Sequence, residues 1–578
     1  MSVDLKMGQK FSFEIVDKDI AARICRLDIN GKKIETPILM PVYNPNKPLI
    51  SIKELQDKFK SKIIMTNSYI ILKNEALREN VLNQGIHRFL NFDGIVATDS
   101  GSYQLMEYGS VETTNKDIIE FQEKIGTDIG SFLDIPSLPD SYKPRAAEQL
   151  DITLQRAKEA INAKFLVNAG IQGSTYLDLR ERAAKEIGKD FNIVAIGGIV
   201  PLMESYRFSK LVDIIITVKK NIPSNRVVHG FGLGHPMIFS LAISLGCDVF
   251  DSAAYAIFAQ DNRYMTENST KKLSELEYLP CNCPVCTKYD LELKELENEE
   301  RVKQLATHNL YVSLEELNRV KQAIKENRLW EFISSRFRSH PMLLACFKML
   351  KENAEWLSEY DSITKNSAFF YTGPESESRP EVINAKKRSE GVNSANRTEI
   401  YPFGSVPIEI LDVYPFGSAV LLDEIEKPKQ NVRDLFKIKG IMDYQFGSGA
   451  GDLIDNNVRI VRSRKTKRIR WIYSNKELIA SVRAKDHFII PKYSLAEKLL
   501  KKFKYPRLRI VIEDDAVPFV REGKSVFNKF VIDVDPELRC NDEVLIVDKN
   551  DSLLNIGTLV LAPKEIKDFK RGVAARVR

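Results

Sequence analysis

The chain has 578 residues, 43% hydrophobic and 28% charged, with a formal net charge of +6. This composition excludes wholesale disorder, and the length suggests about three to four domains. No run reaches the ~18 apolar residues of a transmembrane helix, and the polar start Met1–Lys10 does not read as a secretory signal. A cytoplasmic protein without a membrane partner is expected.

From about residue 10 to 260, short apolar runs alternate with longer helical patterns. The runs are 63–65, 94–98, 130–133, 165–168, 193–196, 226–229 and 248–250, each bounded by Gly, Ser or Asp. Segments such as 147–162 and 174–189 between them carry apolar residues at helical spacing. Strand–helix alternation of this kind implies parallel strands with helical crossovers. Seven or eight such units close into a (β/α)8 TIM-like barrel, with an open doubly wound sheet as the competing topology.

Polar and glycine-rich groups follow the runs: Asn67-Ser68, Asp99-Ser100-Gly101-Ser102-Tyr103, Asp134, Gln172-Gly173, Gly197-Gly198, Gly230 to His235, and Asp251-Ser252. In a barrel these positions share one mouth, where barrel active sites lie. Asp99, Asp134 and Asp251 are therefore candidate catalytic carboxylates. Two of them, as nucleophile and acid/base, suit cleavage of a glycosidic bond through an oxocarbenium-like transition state. The competing reading of any one is a helix N-cap after a strand. Gln172 and the backbone of Gly197, Gly198 and Ile199 can read a flat heterocycle, and Tyr103 can stack on it. His229 and His235 flank a glycine-rich turn that matches nucleotide fingerprints poorly.

Three of the seven cysteines crowd into Cys281, Cys283 and Cys286. Cys-x-Cys-x-x-Cys with a histidine on a following helical stretch, His308, offers three thiolates and an imidazole. That set selects one zinc ion in a closed, structural tetrahedral site.

Residues 365–400 are poor in apolar groups and read as a linker or loose domain edge. Tyr-Pro-Phe-Gly-Ser at 401–405 recurs at 414–418, with an echo at 444–448, and its copies read as turns. The segment 459–509 holds 17 lysines and arginines against three acids, with Trp471, Tyr473, Phe488 and Tyr493 interleaved. Basic groups among aromatics are the footprint of nucleic-acid binding, with a solvated lysine-rich face as the plainer reading. The end of the chain alternates apolar and polar residues around Gly and Asp turns, a small, mostly β domain.

These blocks resemble the archaeal tRNA-guanine transglycosylases. The resemblance rests on Asp99 to Leu105, Phe132-Leu133-Asp134, Gly170-Ile171-Gln172-Gly173, Ala195-Ile196-Gly197-Gly198, Val249 to Ala253 and the cysteine–histidine set. The last 70-odd residues resemble a PUA domain, on Asn541 to Asp548 and Gly572 to Arg578, although Asn541 stands where glycine is common. The resemblance implies an enzyme that exchanges guanine 15 of the tRNA D-arm for 7-cyano-7-deazaguanine, through a covalent aspartyl-ribose intermediate. Asp251 then matches the nucleophile and Asp99 the acid/base, while Asp134, Gln172 and Gly197 to Ile199 match the base-reading set. It also implies a homodimer. The bacterial branch carries an arginine-containing loop after its nucleophile, and Ala253-Ala254-Tyr255-Ala256 replaces it here.

The expected division is 1–365, the barrel with its zinc subdomain; 366–432, a first small α+β domain with the linker; 433–504, a second, basic one; and 505–578, the PUA domain. Two other readings compete. A paralogous archaeosine synthase acting on the inserted base is disfavoured by retention of Asp99, Asp251 and the cysteine–histidine set. A non-catalytic, zinc-stabilised tRNA-binding protein is disfavoured by carboxylates that would face phosphate.

Overall fold

A computed structural model describes residues 10–102, 113–421 and 432–578. The chain divides into two compact units. The first comprises the chain through Lys18, Ala22–Lys325 and Phe332–Cys346; the second comprises Asp19–Ala21, Glu326–Glu331 and Phe347–Arg578. Among the described residues no helix is long and apolar enough to cross a membrane.

The first unit opens with a three-stranded sheet, β1 (Phe11–Asp19), β2 (Ala22–Ile29) and β3 (Lys32–Thr36). Eight parallel strands follow: β4 (Ile38–Pro41), β5 (Ile63–Asn67), β6 (Ile95–Asp99), β7 (Ile129–Gly130), β8 (Leu166–Ile171), β9 (Ile193–Ile196), β10 (Val227–Gly230) and β11 (Val249–Ser252). Their spatial order is β4-β11-β10-β9-β8-β7-β6-β5. A parallel bridge between Val42 and Met65, with Tyr43 N–H donating to the Met65 carbonyl at 2.7 Å, joins the two ends. The sheet thus closes into the expected barrel, and the open-sheet alternative falls.

The closing strand β4 is not among the seven apolar runs. It is only four residues long and is bracketed by Pro37 and Pro41, and prolines suppress a strand reading. The run 130–133 yields only the pair Ile129–Gly130. Beyond it Ser131 and Leu133 send their N–H groups to the side chains of Gln122 and Asn115, at 3.0 and 2.8 Å, instead of to a neighbouring strand.

At the N-terminal end of the barrel a buried arginine ties two strands together. Arg23 of β2 pairs with Asp248 through two bonds of 2.8 and 2.7 Å and donates to the carbonyls of Ser224 and Arg226, the residues leading into β10. Asp248, just before β11, also accepts from Val228 N–H at 2.8 Å. A buried guanidinium is tolerated here because each donor has an acceptor. After the barrel come the hairpin β12 (Arg263–Met265) and β13 (Thr270–Lys272) and the 28-residue helix Asn298–Lys325.

The second unit contains a four-stranded antiparallel sheet, Arg459–Arg462, Ile469–Ser474, Glu477–Val482 and Ile489–Pro491, followed by the helix Tyr493–Lys502. Its six-stranded C-terminal sheet runs Val526–Phe527, Val573–Val577, Leu553–Leu559, Glu543–Val547, Arg509–Ile512, Val531–Val534. The stretch read as a linker is instead packed: Pro380–Glu390 is a helix with Val382, Asn384 and Ala385 buried. Its low apolar content reflects charges satisfied inside the unit. Lys365 lies 2.7, 3.1 and 3.3 Å from Asp19, Asp361 and Glu381, and Arg379 pairs with Glu381 at 2.7 Å. Burial disfavours the Lys365 ammonium, but the three carboxylates outweigh it and hold its pKa above the ordinary range.

The pentapeptide copies adopt different shapes. The first turns the hairpin Arg397–Ile400 to Gly404–Pro407, the second forms a 3-10 turn at Phe416–Ser418, and the echo ends the helix Asp434–Phe446 and is no turn. Their aromatic rings meet in one core. Phe369, Phe403, Phe416, Tyr444 and Phe488 follow each other at centroid spacings of 4.9, 5.1, 5.8 and 6.1 Å. Phe488 is fully buried there and cannot stack on RNA. Trp471 and Tyr473 lie under Arg470 and Arg459, and Trp471 and Tyr493 are exposed.

Removing the Lys365 charge takes the cation from the buried Asp19 and Asp361 carboxylates. Lys365→Met is expected to cost about 3–5 kcal/mol of stability in chemical denaturation of this unit. A variant as stable as the parent would show that the cluster is not held by charge.

Candidate active site

The carboxylates at the strand ends converge. Asp99 is the last residue of β6 and lies in register opposite Asn67 of β5, whose Nδ2 donates to Asp99 Oδ2 at 3.2 Å. Ser68 Oγ donates to the Asp99 carbonyl at 2.7 Å. Burial, then the charges of Asp134 and Asp251, push the Asp99 carboxyl up to about 7, against the pull of N–H bonds from Gly101 and Ser100. The charges of both other carboxylates thus act on Asp99, as one shared mouth requires.

Asp134 follows β7 by four residues and is no helix cap. Gln172, just past β8, donates from Nε2 to Asp134 Oδ2 at 2.5 Å. Burial raises the Asp134 carboxyl, opposed by hydrogen bonds from Ser102 and Gln172. Gln172 is 1% exposed, and its Oε1 has no hydrogen-bond partner among the described residues. Glycine is needed where these side chains lie: a Cβ at Gly170 would sit 2.5 Å from Asp134 Oδ2, and one at Gly197 would sit 2.2 Å from Gln172 Nε2.

The Gly197-Gly198-Ile199 segment leaves β9 against this pair, with Ile199 buried. It is backed by Arg180, which sequence reading passes over because it looks like an ordinary helix charge. Arg180 is fully buried and donates to the carbonyls of Ile171, Gly197 and Ser174 at 2.6, 2.9 and 2.8 Å. Burial brings its guanidinium down to about 9.

Asp251 is the third residue of β11, and the helix Ala254–Gln260 that follows starts after it, so it is not a cap either. Its Oδ1 accepts from His229 Nε2 at 2.8 Å and from Gly232 N–H at 2.6 Å. His229 on β10 is in turn bonded through Nδ1 to the side chain of Asn168 on β8. The sequence marked His229 only as part of a glycine-rich turn, and Asn168 not at all. His235 serves elsewhere: Nδ1 caps the helix Pro236–Ser244 at Met237 N–H, and Nε2 lies 2.9 Å from Thr270 Oγ1. Tyr103 lies outside the described residues.

Away from the mouth, Cys281, Cys283, Cys286 and His308 bring their ligand atoms within 4.8 Å of one another and could hold a metal ion. His308, on the helix Asn298–Lys325, places Nδ1 3.4 Å from Cys283 Sγ and 3.3 Å from Cys286 Sγ. Its Nε2 donates to the Met265 carbonyl at 2.9 Å, which leaves Nδ1 as the ligand nitrogen. The Tyr264 ring stacks on His308 at 3.7 Å. Four protein ligands around one ion would leave no position for substrate. Cys283→Ser is expected to abolish bound metal in elemental analysis and to lower the melting midpoint. Retention of a full metal equivalent would remove Cys283 from the ligand set.

Comparison with known proteins agrees with this geometry. Residues 17–342 match the family model described as queuine tRNA-ribosyltransferase. Residues 437–506 match the patch-forming domain C2 of tRNA-guanine transglycosylase, and 508–578 match the PUA domain. The chain is 49% identical over 577 residues to a tRNA-guanine(15) transglycosylase of Thermococcus onnurineus, covering 98% of this chain and 99% of that protein. It is 49% identical over 574 residues to one of Pyrococcus furiosus, with 98% and 97% covered. It is 41% identical over 652 residues to one of Methanocaldococcus jannaschii, with 98% and 99% covered. With more than half the chain matched by the transglycosylase model and near-complete coverage of such relatives, this chain belongs to the tRNA-guanine transglycosylase family.

Proposed function

We propose that this enzyme exchanges guanine at position 15 of the tRNA D-arm for 7-cyano-7-deazaguanine, through a covalent aspartyl-ribose intermediate. The observation that carries this is the convergence of Asp99, Asp134 and Asp251, with Asp99 raised to about 7 by burial and by the other two. The relatives' name, tRNA-guanine(15) transglycosylase, supplies the position in tRNA.

Asp251 attacks the anomeric carbon. As its bond to C1′ forms, the C1′–N9 bond breaks and its electron pair leaves with guanine, which takes a proton from Asp99. The replacement base then gives its proton to the Asp99 carboxylate, its nitrogen bonds to C1′, and the Asp251 carboxylate departs. One glycosidic bond replaces another, so no nucleotide hydrolysis is needed. A carboxyl raised to about 7 suits the acid/base task, with a second carboxylate as the nucleophile.

Asp134, the unpartnered Gln172 Oε1 and the Gly197-Gly198-Ile199 backbone read the base edge, and Tyr103 is assigned to stack on its face. Guanine and its 7-cyano-7-deaza analogue share the pyrimidine-ring edge, so one set of contacts serves both. A base in folded tRNA must be turned out of its stack to reach this mouth. The PUA domain and the basic segment are suited to grip the rest of the RNA.

We assign zinc to the cysteine–histidine centre. A tetrahedron with Zn–S of about 2.3 Å and Zn–N of about 2.0 Å has edges of about 3.7 and 3.5 Å. The Cys283–Cys286 spacing of 3.7 Å and the His308 spacings of 3.4 and 3.3 Å fit it. A cytoplasmic homodimer belongs to the same reading. So does the division at 1–365, 366–432, 433–504 and 505–578, for which the matches to 437–506 and 508–578 are the support.

Asp251→Asn is expected to abolish exchange of labelled guanine into tRNA while tRNA binding persists; normal exchange would end the assignment. The acid form of Asp99 is needed to release guanine, so single-turnover release is expected to fall as pH rises through about 7. Asp134→Asn removes a like charge that raises Asp99, so the falling limb should move to lower pH. A limb that stays in place would disconnect Asp99 from it.

A further inference from the structure

We propose that His229 is a positioning residue: it locks Asp251 with one carboxylate oxygen turned toward the sugar, and Asn168 holds the imidazole in the tautomer that does so. This rests on Asp251 being the nucleophile of the proposed function.

Both described donors to Asp251 fall on the same oxygen. His229 Nε2 lies 2.8 Å and Gly232 N 2.6 Å from Oδ1, and among the described residues no donor is recorded on Oδ2. Two donors from different directions fix the carboxylate's rotation. They leave the Oδ2 lone pairs for C1′, which is what an in-line attack needs. When Oδ2 becomes the ester oxygen, Oδ1 becomes its carbonyl, and the same two N–H groups stay in place. When the replacement base displaces Asp251, they receive the returning negative charge. A holder of this kind helps both halves of an exchange.

The histidine is itself held. It is 1% exposed, and its Nδ1 lies 3.0 Å from Asn168 Nδ2 and 3.3 Å from Asn168 Oδ1. With Nε2–H donated to the carboxylate, Nδ1 accepts from the Asn168 amide at the shorter of these distances. Asn168 is 3% exposed, and its strand β8 is next but one to β10 in the barrel wall. Side chains from alternate strands share an interior layer, and in such barrels that layer is ordinarily branched and apolar. A line from Asn168 and His229 in that layer to Asp251 on the adjacent strand β11 carries a desolvation cost unless every member is bonded. Each member is bonded, and the line ends at the reacting carboxylate.

The test uses full-length protein and unmodified tRNA, with four readouts: kcat and KM for tRNA, the trapped protein–RNA adduct, and the melting midpoint. His229→Leu, which lacks a donor, should lower kcat and the rate of adduct formation about 100-fold with KM little changed. His229→Gln, whose amide nitrogen can stand near the Nε2 position, should recover much of the loss. Asn168→Asp, which cannot donate to Nδ1, should lower kcat without raising KM. The inference is overturned if His229→Leu keeps wild-type kcat. It is equally overturned if His229→Gln, melting like the parent, is as slow as His229→Leu. Asp251→Asn separates the two levels: activity in that variant removes the nucleophile assignment itself, whereas an inactive Asp251→Asn beside a fully active His229→Leu removes only the role of His229.

Discussion

Three acidic side chains are held in one enclosure although like charges repel and burial disfavours each of them. Nothing local would assemble them: Asp99, Asp134 and Asp251 are far apart in sequence, and each has its own strand or loop. The closed parallel barrel forces the arrangement, because every strand delivers its last residues to the same rim. The strain appears where it is useful, in an Asp99 carboxyl raised to about 7, and it is limited by donors. Asn67 and backbone N–H groups serve Asp99, Gln172 and Ser102 serve Asp134, and His229 with Gly232 serves Asp251.

Much of this enclosure was legible in the sequence because it obeys a simple grammar. A short β-branched run followed by an acid or a glycine marks a strand end, and Asp99, Gly197 and Asp251 all fit it. The cysteine spacing was equally readable, since three thiols within six residues have few uses other than a metal. What stayed hidden depended on pairing across the fold. His229 sits inside a strand and looks like a core residue until Asp251 is seen beside it. Arg180 looks like a solvated helix charge until three carbonyls are found around it. The strand Ile38–Pro41 closes the barrel but is too short and proline-bound to announce itself.

The second unit shows the same limit from the other side. Low apolar content made 365–400 look loose, yet Lys365, Arg379 and Glu381 are buried and pair with one another and with Asp19 and Glu331, remote in the chain. The repeated Tyr-Pro-Phe-Gly-Ser blocks suggested repeated turns. What they share is the delivery of an aromatic ring to one edge-to-face cluster, through three different backbone shapes. Phe488 joins that cluster and so drops out of any RNA-facing surface.

The buried arginine at the N-terminal end of the barrel bears on the site through the strands themselves. Arg23, tied to Asp248 and to the carbonyls of Ser224 and Arg226, pins the starts of β10 and β11. Those two neighbouring strands carry His229 and Asp251. An anchor on the opposite rim thus sets the level of one strand against the other, and with it the reach of the imidazole to the carboxylate.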